Sequence, residues 1–184
     1  MATLKSCLSQ GFLQVLEPGP GAAIDEPVPH PGHQSRDNTR VYLGSQHEAE
    51  MFAEFGRIQE EAHKRNIAAI AWVYPRGATV TNDASKEIVA YAARTALELG
   101  ADAAKIKYTG DPESFSWAVK SAAKMKVFMS GGPKAPTDEA FLRQVKGAID
   151  GGATGLAVGR NVWQHRDPLL MADYQEDHLR RQDG

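Results

Sequence analysis

Apolar and polar positions take up a regular rhythm at about residue 40. Residues 41–43 form a short apolar piece closed by Gly44. A helix is predicted next: Ser45 and Glu48 stand at capping-box spacing, and Met51, Phe55, Ile58 and Ala62 recur on one helical face. Residues 67–73 are a nearly continuous apolar run, as expected of a strand buried on both faces. The loop Tyr74-Pro75-Arg76-Gly77 follows, then a helix over 86–99 with Gly100 as its stop. A strand over 103–108 leads to Asp111-Pro112, an N-cap and a first-turn proline, opening a helix with Phe115, Val119 and Ala122 inside. A strand over 126–129 ends in Ser130-Gly131-Gly132. A helix over 137–149 ends at Gly151-Gly152, and a strand over 155–158 ends in Gly159-Arg160.

Five strand–helix units in alternation predict an α/β chain with a parallel sheet, since parallel neighbours need crossover connections. Each predicted strand ends in a polar or glycine-rich loop. Chemistry collects at that end of the strands in β/α barrels and doubly wound sheets alike. Residues 1–40 have no such rhythm. They are rich in Pro and Gly, as in Glu17-Pro18-Gly19-Pro20-Gly21, and proline opposes both helix and ladder. We read residues 1–40 as an extended or disordered segment with at most a short helix over 4–16, residues 41–172 as the folded domain, and 173–184 as a polar, solvated tail.

Composition narrows the possibilities. With 184 residues the chain can bury a real core. Its 21 basic and 23 acidic residues give no long-range field toward nucleic acid or membrane. No apolar run approaches the roughly 18 residues of a membrane span. A single cysteine, Cys7, excludes an internal disulfide framework and points to a reducing compartment, the cytoplasm. His30 and His33 flank a Pro-Gly turn without a third ligand nearby, so they are read as solvated rather than metal-binding.

The candidate chemistry begins with Lys105 and Lys107. Side chains alternate along a strand, so both face the same way. Burial disfavours a charged lysine, and a desolvated amine beside a second cation becomes a nucleophile able to form a Schiff base with a carbonyl. Trp72, Tyr74 and Arg76 likewise share a face if the strand persists past Val73. The tyrosine could move protons for a carbonyl reaction. Spacing alone leaves open that both lysines are exposed on an edge strand. Ser130-Gly131-Gly132 offers unobstructed backbone N–H groups, and Gly159-Arg160 adds a guanidinium; both suit a phosphate. In β/α barrels the phosphate site is often built from the loops after the last two strands.

Four segments in order, Trp72-Val73-Tyr74-Pro75-Arg76-Gly77, residues 103–111, residues 129–134 and residues 158–163, resemble the archaeal-type class I fructose-bisphosphate aldolases. These are Schiff-base TIM-barrel enzymes related to deoxyribose-phosphate aldolase. The resemblance covers residues 40 to 170. It implies that Lys105 is the Schiff-base lysine and Tyr74 the general acid/base, with Trp72 shaping the pocket. It implies that Ser130, Gly131, Gly132, Gly159 and Arg160 hold a substrate phosphate, and that Arg76 and Lys107 supply charge, Lys107 helping to depress the pKa of Lys105. No cofactor or metal is expected, because the iminium withdraws the electrons. A phosphorylated sugar, fructose 1,6-bisphosphate, is the expected substrate, with a role in glycolysis and gluconeogenesis. The superfamily alternative is a synthase of an amino-dideoxy-heptulosonate; a non-catalytic remnant is the alternative outside enzymology. A full barrel has eight strands, and only equivalents of the last five are present, without the acidic residue at the end of strand one. The fold expected is therefore a partial TIM (β/α)8 barrel. Its open edges would be covered by self-association or by a partner.

Overall fold

A computed structural model describes residues 40–180. The expectations for residues 1–39, including the short helix, Cys7, His30 and His33, lie outside the described residues. Strands and helices alternate: β1 Arg40–Leu43, α1 Glu48–Lys64, β2 Ile70–Pro75, α2 Lys86–Glu98, β3 Ala103–Lys107, α3 Pro112–Ser121, β4 Lys126–Ser130, α4 Asp138–Asp150, β5 Gly155–Ala157, α5 Arg160–Trp163 and α6 Pro168–Arg180. The five strands are parallel and stand in the order β1-β2-β3-β4-β5. Crossovers between parallel strands are right-handed almost without exception, so a strictly sequential order puts the helices on one face. A doubly wound sheet would reverse its order at a switch point; this sheet does not, which is the winding of a β/α barrel.

The core lies between that face and the helices. Val41, Leu43, Ala71, Val73, Ala104, Ile106, Val127 and Met129 from the strands meet Phe55, Val89, Ala93, Phe115 and Ala118 from the helices. The alternate strand residues, Trp72, Tyr74, Lys105, Lys107, Phe128 and Ser130, are only half-buried and line the opposite face. A second cluster joins Phe141, Val145 and Ile149 of α4 to Met171 of α6. The helix crosses the boundary expected at 172/173, so residues 173–180 of the polar segment continue α6.

Local chemistry explains most element ends. Ser85, Asp111 and Thr137 cap α2, α3 and α4 through their side-chain oxygens. The capping box predicted at Ser45 is not formed. His47 stands at the N-cap of α1, and the Glu48 carboxylate instead accepts the N–H of Gly44 at 2.6 Å. Gly44 has φ +76°, and this tight turn brings its N–H within reach. The strand expected from residue 67 begins at Ile70. Asn66 takes φ 56°, and the Ile67 N–H returns to the Ala62 carbonyl, which closes α1 and leaves Ile67 outside the ladder. At its other end β2 runs through Tyr74 and Pro75, which were expected in a loop. Pairing with β3 stops at Trp72, whereas β1 pairs on to Pro75. Proline is tolerated there because β3 no longer needs its missing N–H.

At the opposite end of the sheet, Asp102 ties β2, β3 and β4 together. Its carboxylate accepts the Ala69 N–H and a hydrogen bond from His63 Nε2, both at 2.8 Å, and its carbonyl accepts the Lys126 N–H at 3.2 Å. Burial alone would raise this carboxyl; the bonds from His63 and Ala69 outweigh it and hold the pKa below the usual value. A depressed carboxylate contributes stability above its unfolded pKa and loses it as the pH falls through the folded one. Asp102→Ala is therefore expected to lower stability at pH 7 by about 1 kcal/mol, a modest figure because the side chain is well exposed. Urea titration should show the gap between wild type and variant closing as the pH falls below that of an ordinary carboxylate.

Candidate active site

Strand register builds the site in rows. Arg40, Trp72, Lys105, Phe128 and Gly155 stand side by side across the five strands. One pleat nearer the C-terminal ends, Tyr42 pairs with Tyr74, and Lys107 with Ser130 and Ala157. β3 is the central strand, which removes the edge-strand reading of the two lysines. A Cβ at Gly155 would lie 2.9 Å from the Phe128 ring, so the glycine leaves the ring its place in the row.

Lys105 is the most perturbed group of this face. Its ammonium lies 4.0 Å from the centroid of the Trp72 ring, and the Arg40 guanidinium carbon lies 5.3 Å from the same ring. Burial is the larger cause and the Arg40 charge the second; together they bring the Lys105 pKa down to about 8. This corrects the expectation for Lys107. The cation that tunes Lys105 is Arg40, because Lys107 is engaged elsewhere, with Asp83 at 2.5 Å. The Trp72 indole N–H is buried and meets no acceptor among the described residues.

Tyr74 follows from the persistence of β2. Burial pushes its phenol up, while a hydrogen bond with Ser130 and the charges of Arg40 and Arg76 pull the other way. The Arg76 guanidinium carbon sits 5.0 Å from the Tyr74 ring, and the Tyr42 ring centroid is 6.0 Å away. Arg76 is past the strand yet still on the tyrosine's side, as the alternation suggested.

The two glycine-rich loops come together beyond β4 and β5. A Cβ on Gly131 would fall 2.6 Å from Val158, and one on Gly159 would fall 2.2 Å from the Trp163 indole, so both positions are glycine because neighbours press on them. Gly132, at φ +60°, faces open space. Ser130 ends β4 and Arg160 opens α5, both half-buried. Among the described residues, no cluster of three or more His, Cys, Asp or Glu side chains is placed to hold a metal ion. None of the described helices is long and apolar enough to cross a membrane.

Residues 38–165 match the model of the DeoC/LacD family aldolases. The chain belongs to this family. It is 60% identical over 132 residues to the "Fructose-bisphosphate aldolase class 1" of Thermoproteus tenax, an alignment covering 72% of this chain and 50% of that protein. It is 34% identical over 140 residues to the "2-amino-4,5-dihydroxy-6-oxo-7-(phosphonooxy)heptanoate synthase" of Streptomyces griseus, covering 76% and 51%. A solved structure of a Schiff-base-forming fructose-1,6-bisphosphate aldolase superposes with a TM-score of 0.74 at 55% identity, covering 76% of this chain and 56% of that one. The chain thus spans about half the length of the curated relatives it matches. The sheet is part of a TIM barrel, as the sequential strand order indicated.

Four site neighbours of this aldolase-family chain were not singled out from sequence: Arg40, Asp83, Phe128 and Asn161. Phe128 could have been found, as it alternates with Ser130 on a predicted strand. Arg40 and Asp83 carry no local signal, because each acts on a lysine distant in sequence.

A lysine depressed in the folded state opposes folding while it is protonated. Between its folded and unfolded pKa values the unfolded chain binds the extra proton, so stability rises with pH there. Lys105→Met should accordingly stabilise the fold at pH 7, by on the order of 3 kcal/mol at most. Denaturant titrations across the pH range should show the advantage shrinking from about pH 8 and gone above about 10.5.

Proposed function

We propose that the chain carries the reactive half of a class I aldolase acting on fructose 1,6-bisphosphate, releasing dihydroxyacetone phosphate and glyceraldehyde 3-phosphate. The observation that carries this reading is Lys105: an amine on the central strand, under an indole and near a guanidinium, with its pKa near 8. A useful fraction is neutral near physiological pH, and neutral amine is the nucleophile. The amine adds to the C2 carbonyl, the carbinolamine loses water, and the iminium accepts the electron pair as the C3–C4 bond breaks. Tyr74 takes the C4 hydroxyl proton and later returns a proton to C3 of the enamine; hydrolysis then frees Lys105. Trp72 walls the pocket and shields the amine from water. Ser130, Gly131, Gly132, Gly159 and Arg160 hold one phosphate through N–H groups and a guanidinium. Arg76 adds positive charge near Tyr74, and Lys107, paired with Asp83, offers N–H donors beside Ser130. A phosphorylated sugar is the expected partner, and self-association or a partner chain would cover the sheet edges.

The likeness to the Streptomyces griseus synthase favours a second reading within the family, and turnover separates the two. Borohydride reduction in the presence of dihydroxyacetone phosphate should fix one adduct, located at Lys105 by peptide mass mapping. A full-strength adduct in Lys105→Ala would sink the assignment, and no adduct in the wild type would favour a non-catalytic remnant. In a competent preparation, Tyr74→Phe should keep the adduct yet slow cleavage of fructose 1,6-bisphosphate about 10²-fold or more. Unchanged cleavage in that variant would remove Tyr74 from the proton transfers.

A further inference from the structure

Asn161, the second residue of α5, is buried at 5% exposure and reaches back to the loop that follows β4. Its amide nitrogen donates to the Gly131 carbonyl at 2.9 Å and to the Pro133 carbonyl at 3.0 Å, and its oxygen accepts the Ala135 N–H at 2.7 Å. Both donors and the acceptor are thereby used, and the pattern fixes which way the amide points: turned over, it would set donor against donor and oxygen against carbonyl. Each bond crosses between the two loops assigned above to phosphate. Lys134 adds a fourth tie, its ammonium donating to the Gln164 carbonyl at 2.6 Å.

The consequence lies in the peptide planes. In a trans peptide the C=O and the following N–H point in opposite directions, and no cis bond occurs among the described residues. Drawing the Gly131 and Pro133 carbonyls toward Asn161 turns the N–H groups of Gly132 and Lys134 away from it. Gly132 is where the loop meets open space.

We propose that Asn161 is a positioning residue for the anion subsite: it aims the N–H groups of the loop after β4 outward and holds that loop beside Arg160. The inference rests on the phosphate reading of these loops and not on the chemistry of Lys105. Asn161→Leu, nearly isosteric and uncharged, removes all three bonds. Inorganic phosphate titrated against the amide resonances of Gly132 and Arg160 should bind the wild type and bind the variant at least about tenfold more weakly. The half-saturating concentration for borohydride trapping should rise to a similar extent with dihydroxyacetone phosphate, and stay within about twofold with dihydroxyacetone, which has no phosphate to hold.

Equal phosphate binding by variant and wild type would overturn the proposal. So would equal weakening toward both ketones, which marks general collapse, or a wild type that gives no phosphate response. If the wild type forms no Lys105 adduct but its phosphate response is lost in the variant, the inference stands and the Schiff-base reading falls. Hydrogen exchange on the wild-type chain serves if the variant does not fold. Phosphate should slow exchange at Gly132, while Ala135, already bonded to Asn161, is protected without it. Absence of any phosphate effect at Gly132 would count against the proposal.

Discussion

The site is organised around a part-buried amine that has no carboxylate partner among the described residues. Lys105 sits on the central strand, capped by the Trp72 ring and close to the charge of Arg40. A lysine in that position opposes folding at neutral pH, and the apolar packing beneath the sheet has to offset it. The strand residues on either side of Lys105 in sequence, Ala104 and Ile106, are fully buried against the helices. The strand is thus anchored by one face while the other presents the amine. A neighbouring carboxylate would have offset the desolvation and raised the pKa, and with it would have gone the neutral amine near pH 7. Lys107 has that relief from Asp83, at 2.5 Å.

Sheet register does the rest of the positioning. Parallel strands in sequential order place Arg40, Trp72, Lys105 and Phe128 in one row, so residues far apart in sequence become lateral neighbours at the spacing of adjacent strands. The next row brings Ser130 toward Tyr74 and so joins the proposed acid/base to the loop proposed for phosphate. Asn161 then fixes the geometry of that loop from behind. The desolvated amine and the proposed acid/base and anion-binding groups are three layers of the same construction, each depending on the register of the one below.

How much of this was legible in the sequence follows the range of the interactions. Alternation set the common facing of Lys105 and Lys107, and of Trp72 and Tyr74, because it is a property of a strand alone. Asp111 and Thr137 were legible as helix starts, since a cap bonds only three residues ahead. The Ser45 box failed for a local reason too: the left-handed Gly44 offers its own N–H to Glu48. What could not be read were pairings through space. Arg40 displaced Lys107 as the tuning charge, Asp83 claimed Lys107, and Met171 docked α6 onto α4. The four family motifs stood in for these contacts without revealing them.

The chemistry proposed for the site turns on Lys105 being a desolvated amine with a pKa far below that of an ordinary lysine. Direct titration of its ε-amino group by heteronuclear NMR, assigned by its loss in Lys105→Met, tests that claim most closely. The expected midpoint is near 8, moving upward in Arg40→Gln but staying below the ordinary value, because burial is the larger cause. A midpoint at about 10.5 in the wild-type chain would contradict it.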